Sequence, residues 1–291
     1  MTAGAWRPDL GRRRAGEGAF KALCYLATGL GLLALATLLW DVSVRGLPQL
    51  DWDFLTSFAS RRAEGSGVLA ALVGTFYVAL ITIVVAFPVG VAAAIYLEEY
   101  ARPGLVSRII ETNISNLAGV PSIIYGMLGL AIFVRAFALD RSVLAGGLTI
   151  ALLVLPIVII NAQEAIRAVP LGLRHASLAL GATRWETTWH HVLPAAMPGI
   201  LTGTILALSR AVGEAAPIIL ISSIAFIAFL PGSLFDSFTI LPIQIFIWAS
   251  KPQSEFHDIA ASAIVVLLVL LLSLNAAAIL LRDRQRGKAQ W

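Results

Sequence analysis

The chain has 291 residues, of which 58% are hydrophobic and only 13% are charged, with a formal net charge of +4. Soluble domains carry about 25% charged residues, so this composition excludes an ordinary water-soluble globular protein. The basic residues lie in short patches between apolar runs, which argues against a nucleic-acid-binding surface. The single cysteine, Cys24, excludes a disulfide framework.

Six apolar segments are long enough to cross the hydrocarbon core of a membrane, which requires about 20 residues of helix. In chain order they are Phe20–Trp40, Val68–Leu97, Leu117–Leu139, Val143–Asn161, Gly199–Phe229 and Ile259–Leu281. The first follows a basic segment, as in a signal peptide, but it exceeds the roughly 7–15 apolar residues of a signal sequence. We therefore predict a retained anchor and an all-α integral membrane protein with six transmembrane helices in one domain, residues 20–281.

The distribution of Lys and Arg predicts the orientation of these spans. With the N-terminus inside, 14 of the 21 basic residues fall in inside segments, six fall in outside segments, and Arg210 lies within a span. We predict a multi-pass protein of the bacterial cytoplasmic membrane, with tails 1–19 and 282–291 both cytoplasmic. The connection 162–198 then forms the longest cytoplasmic loop.

Motifs for catalysis and for cofactor binding are missing from the sequence. It contains no G-x-x-x-x-G-K-[ST] phosphate-binding loop and no H-E-x-x-H zinc motif. The neighbouring His190 and His191 would point to different faces of a helix, which makes a poor metal site. We predict a non-enzymatic chain that binds no metal or cofactor.

The cytoplasmic loop contains a segment too apolar for a free loop, HASLALGATRWETTWHHVLPAAMP, residues 175–198. It predicts a short helix that ends at Gly181 and a second helix over Ala182–Val192 that stops at Pro194. Trp185 and Trp189 are four residues apart and share one helix face. From these residues alone, a docking element and an interfacial hairpin with an aromatic belt remain equally open. Upstream, Gln163, Glu164 and Arg167 are predicted to form a solvated face.

This hairpin resembles the EAA loop of ABC importer permeases, whose pattern is E-A-A-x-x-x-G-x(9)-I-x-L-P. Ala176, Gly181, Leu193 and Pro194 match the pattern, whereas His175, Ser177 and His191 depart from it. The resemblance implies that the loop, including Ala182 and Trp185, inserts a coupling helix into a cleft of an ATPase subunit. The missing glutamate puts in doubt any salt bridge that this position makes in relatives.

Four further stretches resemble the phosphate-specific transport permeases of the PstA type. They are AFPVGVAAAIYLEEYA (86–101), SNLAGVPSIIYGMLGLAIFV (115–134), LTGTILALSRAVGEAAPII (201–219) and LPIQIFIWASKPQSEFHDIAASAI (241–264). The resemblance implies a type I ABC importer permease that moves inorganic phosphate. It also implies three kinds of partner: a second permease of the PstC type, two ATPase subunits of the PstB type that use the ATP, and an extracytoplasmic phosphate-binding protein of the PstS type.

Two charged residues lie within the fifth predicted span. Arg210 and Glu214 are spaced i, i+4, so they share a helix face, and a charge at membrane depth costs about 2.5–3.5 kcal/mol. Pro217 removes a backbone donor and crowds the carbonyl group of Gly213, which predicts a helix kink. We interpret Arg210 and Glu214 as lining the translocation pathway, where the arginine would bind a phosphate dianion. The alternative is a structural pair that locks two helices.

Other functions fit the sequence less well. A permease for sulfate or molybdate would need the same arginine, so the choice of phosphate rests on the resemblance. A proton-coupled secondary transporter would use Glu214 as its carrier, but such folds often show internal repeats, and the sequence has none. A non-transporting scaffold would leave the intramembrane arginine unexplained. A short Gly199-x-x-x-Gly203 motif could allow a close helix approach.

Overall fold

The computed structural model describes residues 10–222 and 227–286, without the side chains of residues 10–15, 278 and 281–286. The outermost parts of both predicted tails, 1–9 and 287–291, therefore lie outside the described residues. So do residues 223–226, near the end of the predicted fifth span.

Helices account for the regular structure of the described residues, apart from an isolated β-bridge between Ser142 and Ser237. The α-helices are α1 (Leu10–Gly46), α2 (Trp52–Thr56), α3 (Leu69–Ile95), α4 (Leu105–Ala118), α5 (Ser122–Gly129), α6 (Val143–Arg167), α7 (Leu171–Ala179), α8 (Arg184–Thr187), α9 (Leu193–Val212), α10 (Ala216–Ile219), α11 (Leu241–Ala249) and α12 (Ser254–Arg286). A 3₁₀ turn, Leu47–Gln49, follows α1. π-helical turns extend α3 (Tyr96–Tyr100) and α5 (Leu130–Ala136) and join α8 to α9 (Thr188–Val192).

Among the described residues, five helical segments are long and apolar enough to cross a membrane, and one bent pair can supply a sixth span. The five are Gly16–Gln49, Leu69–Tyr100, Val143–Arg167, Arg184–Val212 and Ser254–Ala277, and the pair is Leu105–Ala118 with Ser122–Ala136. The predicted all-α membrane fold with six spans is confirmed. Two of the predicted spans have the wrong limits.

The third predicted span, Leu117–Leu139, is not one straight helix. The chain bends by 101° between α4 and α5, at Gly119-Val120-Pro121. Pro121 has no N–H to continue the α4 ladder, and its backbone is extended at ψ 134°. The bend leaves α4 as a separate helix that has no buried residue in this chain.

The fifth predicted span, Gly199–Phe229, is displaced along the chain. The helix begins at Arg184, runs through α8 and α9, and ends at Val212. Pro194 does not stop it, because Leu193 donates its N–H to the carbonyl of Thr188 in a π-helical turn. The wider turn gives the proline ring room beside the preceding carbonyl groups. The predicted second helix of the loop is therefore the beginning of the fifth span.

The core of the bundle is the packing of α3, α6 and α9. Gly90 of α3 lies against Val158 of α6, where an added Cβ atom would come within 2.7 Å of a Val158 methyl carbon. On α9, Gly199 and Gly203 lie against Ala165 and Asn161 of α6, and an added Cβ atom would come within 2.9 and 2.6 Å of their Cβ atoms. The Gly199-x-x-x-Gly203 motif thus allows a close helix approach, as predicted.

Two connections, the one that precedes α6 and the 231–236 loop, close the end of the bundle opposite α7. Val143 and Leu144, at the start of α6, donate their N–H groups to the carbonyls of Asp236 and Leu234. The Asp236 carboxylate accepts hydrogen bonds from the Ser233 hydroxyl and from the N–H groups of Ser233 and Gly232, which lower its pKa from the ordinary value. The 231–236 loop is therefore held in one shape against α6.

Candidate functional site

A cavity of 330 Å³ opens beside the bend between α4 and α5. Its walls are the 118–122 bend, the middle of α6 and the last turns of α9. The residues that line it are Ala118, Gly119, Val120, Pro121, Ser122, Leu153, Val154, Ile157, Ala207, Arg210, Ala211 and Glu214. The volume lies within the range of about 300–1,000 Å³ that is usual for small-molecule sites.

The bend that forms one wall is held in place by a hydrogen bond across it. Tyr125, on the first turns of α5, donates its hydroxyl to the carbonyl of Leu117 in α4, at 2.8 Å. The same carbonyl accepts the N–H of Val120 at the end of α4, so the tyrosine adds a second bond across the bend. The bend therefore has a fixed geometry and presents Ser122 to the cavity.

Arg210 and Glu214 both line this cavity, but Glu214 lies beyond the end of α9, so the two do not share a helix face as predicted. Arg210 lies in the last turn of α9, and its side chain is 72% exposed within this chain. Its Nε lies 3.9 Å from the Oε1 of Glu214, which is an ion pair but too long for a hydrogen bond.

Glu214 is held from the other side of the cavity. Ser122 donates its hydroxyl to the Glu214 Oε2 at 3.3 Å, and the Glu214 side chain is 28% exposed. The three side chains thus place a cation, an anion and a hydroxyl around one space. Sequence analysis named Arg210 and Glu214 but missed Ser122 as their partner, because the contact joins segments far apart in the chain.

The predicted helix kink at Gly213 and Pro217 is not present. The helix ends at Gly213 instead of bending, and Pro217 lies in the first turn of the separate helix α10. Here proline is favourable, because its missing N–H would have no helical partner. Gly126 of α5 packs directly on the Pro217 backbone, so α10 is pressed against α5 beside the cavity.

A second candidate site is the hairpin formed by α7 and α8, residues 171–187. Gly181 forms its turn with φ of +88°, a conformation that favours glycine. Thr183 caps α8 reciprocally with Glu186. Helix α8 therefore begins at Arg184, and Ala182 is in the turn.

The residues predicted to form the coupling loop fall in three places. His175, Ala176 and Ser177 are in α7, Gly181 and Ala182 are in the turn, and Trp185, Leu193 and Pro194 are in the long helix from α8 into α9. Trp185 and Trp189 stack with ring centroids 5.6 Å apart, and they are 60% and 53% exposed. Leu180, in the hairpin turn, is 90% exposed; these three exposed apolar side chains on the hairpin and the π-helical turn after it are called the hairpin tip below.

Ser177, a departure from the pattern, is buried and shares a hydrogen bond of 2.9 Å with Thr187 of α8. This bond fixes α7 to α8. The hairpin is a rigid element, and its tip is an exposed apolar surface of the kind that marks interaction sites.

The base of the hairpin is joined to α3 by ion pairs that sequence analysis missed. Arg174 of α7 donates two hydrogen bonds to the Glu99 carboxylate, and Arg167 of α6 binds the Glu98 carboxylate through Nε and Nη2. Gln163 is buried and donates to Glu98 at 3.0 Å, so its predicted place on a solvated face is wrong. The available signal was the adjacent acidic pair, Glu98 and Glu99, at the end of an apolar span.

Comparisons with known proteins agree with this fold. Residues 86–286 match the family model described as a binding-protein-dependent transport system inner membrane component. Curated relatives include a probable ABC transporter permease protein, YqgI, from Bacillus subtilis, with 34% identity over 86% of this chain and 92% of the relative. Phosphate transport system permease proteins of the PstA type are similar too. One from Xylella fastidiosa is 33% identical over 94% of this chain and 95% of its own length. PstA 1 from Mycobacterium tuberculosis is 31% identical over 95% and 92%.

Solved structures share the architecture at low sequence identity. A chain of a bacterial alginate ABC transporter, in complex with an alginate-bound periplasmic protein, superposes with a TM-score of 0.68. It is 14% identical, and the match covers 97% of this chain and 98% of that one. A chain of the MetNI methionine ABC transporter in an inward-facing conformation gives a TM-score of 0.58 at 20% identity, over 75% of this chain and 94% of the other.

Proposed function

This chain belongs to the family of binding-protein-dependent transport system inner membrane components, and on that premise we propose that it forms half of the pore of an importer for inorganic phosphate. As a permease subunit of an ABC importer it is a multi-pass membrane protein. The phosphate cargo is supported by the PstA-type relatives, which are 31–33% identical over most of the chain.

The cavity beside Arg210 is the observation that carries this proposal. A guanidinium group presents a planar fork of donors that suits the oxygen pairs of a tetrahedral oxyanion. Glu214 lies 3.9 Å away and is held by Ser122, so part of the positive charge is balanced. A cation balanced in this way attracts the anion without trapping it, as a transport pathway requires.

The hairpin supports coupling to an ATPase. Its exposed tip of Leu180, Trp185 and Trp189 offers an apolar surface, and α8 continues without interruption into α9, which carries Arg210 at its far end. We propose that an ATPase cleft receives this tip and that closure of the ATPase moves α9. The ATP is bound by the ATPase, and this chain holds no cofactor.

The proposed assembly has four kinds of subunit. A second permease of the PstC type completes the pore, and two PstB-type ATPases dock at the hairpin end, which is the cytoplasmic side. Both termini are cytoplasmic in this arrangement. A PstS-type phosphate-binding protein delivers the anion at the opposite end, where the 41–67 and 230–258 connections lie.

The alternative cargo is another oxyanion, sulfate or molybdate, because an arginine does not distinguish tetrahedral anions by itself. The test is uptake of labelled phosphate by cells that lack this chain, with and without its restoration, in excess unlabelled sulfate. Restored uptake that sulfate does not inhibit supports phosphate as the cargo. Phosphate uptake that stays unchanged on restoration, with the partner subunits confirmed present, overturns it.

A further inference from the structure

Arg174 donates several hydrogen bonds at the base of the hairpin. Its Nε and Nη2 donate to the Oε1 of Glu99 at 3.1 and 2.9 Å. Nη1 donates to the carbonyl of Val169 at 2.6 Å, and Nη2 also donates to the carbonyl of Ile166 at 2.9 Å. One side chain of α7 therefore holds the end of α3 and the last carbonyl groups of α6 together.

The contact is sheltered from water, in contrast to its neighbour. The Arg174 and Glu99 side chains are 15% and 13% exposed; in the neighbouring pair Glu98 is also 13% exposed, but its partner Arg167 is 56% exposed. Breaking a sheltered pair leaves a charge without its partner in a poorly solvated place, which is costly. The Arg174–Glu99 contact is therefore a stiff connection and not a loose surface pair.

The hairpin is connected to three helices of the bundle. Two connections are covalent: α7 follows α6 after residues 168–170, and α8 continues into α9, which carries Arg210. The third is not covalent: α7 is fixed to α8 by the buried bond between Ser177 and Thr187 and to the end of α3 through Arg174 and Glu99. Since α3 packs on α6 at Gly90, and α6 and α9 both line the cavity, the Arg174–Glu99 contact makes α3 move with the two helices that line the cavity.

We propose that Arg174 and Glu99 are positioning residues that transmit displacement of the hairpin to α3. This inference rests on the proposed function, because it takes the hairpin as the ATPase docking element. Without the contact, the ATPase still docks and hydrolyses ATP, but the hairpin moves α6 and α9 without α3. The complex then consumes ATP with less transport per ATP.

The test uses the full complex with its ATPase and binding protein in proteoliposomes, and it measures ATP hydrolysed per labelled phosphate taken up. Glu99→Gln and Arg174→Gln are each expected to raise this ratio by about fivefold or more, the lower end of ordinary coupling between sites. Arg174→Lys, which keeps the charge but loses the fork, is expected to fall between them and the wild type. The matched control is Arg167→Gln, which removes an exposed arginine from an ion pair between α3 and α6 without touching α7, and it should keep the wild-type ratio.

A wild-type ratio in both Glu99→Gln and Arg174→Gln overturns the inference, whether or not the rates fall, since a purely structural role lowers hydrolysis and transport together. If Arg174→Gln does not assemble, Glu99→Gln decides, because it keeps the size of the side chain. A wild-type complex that assembles but moves no phosphate overturns the proposed cargo instead. The same ratio is then measured with the labelled sulfate or molybdate that the complex does transport.

Discussion

Ser122 donates a hydrogen bond of 3.3 Å to Glu214, a residue 92 positions further along the chain. The bond joins two interruptions of helical structure, the bend before α5 and the end of α9. Both interruptions lie at the cavity that Arg210 lines. Breaks of this kind in membrane helices persist where the backbone is buried in protein or lines a hydrated space, and not where it meets lipid.

Ser122→Ala is expected to weaken phosphate uptake without abolishing it. Loss of one well-formed hydrogen bond to a charged group costs about 1.5–3 kcal/mol. At 3.3 Å we expect the lower end of this range, which corresponds to an increase of about tenfold in the KM for uptake. The control is Ser273→Ala, an exposed serine of α12 that bonds only a carbonyl of its own helix. Equal KM values for the two variants would show that Ser122 does not act on the pathway.

Arg210→Ala is expected to reduce phosphate uptake by at least about 100-fold, because Arg210 is the one cation among the described residues that line the cavity, and Glu214 then repels the anion. Uptake by cells with equal amounts of the assembled complex measures the effect. Arg45→Ala is the matched control, since Arg45 forms an i, i+4 ion pair with Asp41 and is 53% exposed but lies away from the cavity. Normal uptake by the Arg210 variant would restore the alternative of a structural pair.

Removing the exposed tryptophan stack is expected to detach the ATPase. The double variant Trp185→Ala/Trp189→Ala deletes two large apolar side chains from the hairpin tip, and aromatic residues dominate the energy of most interfaces. Co-purification of the ATPase with this chain should fall at least about tenfold. Trp52→Ala, 76% exposed near the opposite end of the bundle, should have no effect on it. Full recovery of the ATPase with the double variant would instead favour an interfacial aromatic belt.

Gly203→Ala is expected to destabilise the bundle. Its new Cβ atom would lie 2.6 Å from the Cβ of Asn161, so α6 and α9 must separate, at a cost of about 1–3 kcal/mol. Thermal unfolding in detergent measures the change as a lowered Tm. Gly29→Ala in α1 is the control: nothing lies within 4 Å of its added Cβ, so the higher helix propensity of alanine should leave Tm equal or raised. A Tm for Gly203→Ala that matches the control would mean that the two helices are not in close contact.

The sequence predicted the membrane class and the helical fold because hydrophobic runs of about 20 residues have few other solutions. It also predicted the close approach at Gly203, since two glycines four residues apart clear one helix face. The helix face predicted for Arg210 and Glu214 is not present, because α9 ends before Glu214. The limits of the third and fifth spans were predicted wrongly. Hydropathy does not report where a continuous apolar run bends. The effect of a proline depends on the turn before it. Pro194 lies within a continuous helix, whereas Pro121 lies at a bend of 101°.

By itself, the sequence determined that this chain crosses the membrane several times, carries an arginine and a glutamate in one apolar segment, and ends the first helix of its hairpin near Gly181. Only the tertiary structure decided which side chains from distant parts of the chain contact one another. Ser122 reaches Glu214, and Glu99 reaches Arg174, through contacts between helices that are 92 and 75 residues apart in the chain. Such pairings are set by how whole helices pack against one another, and local periodicity carries no information about them.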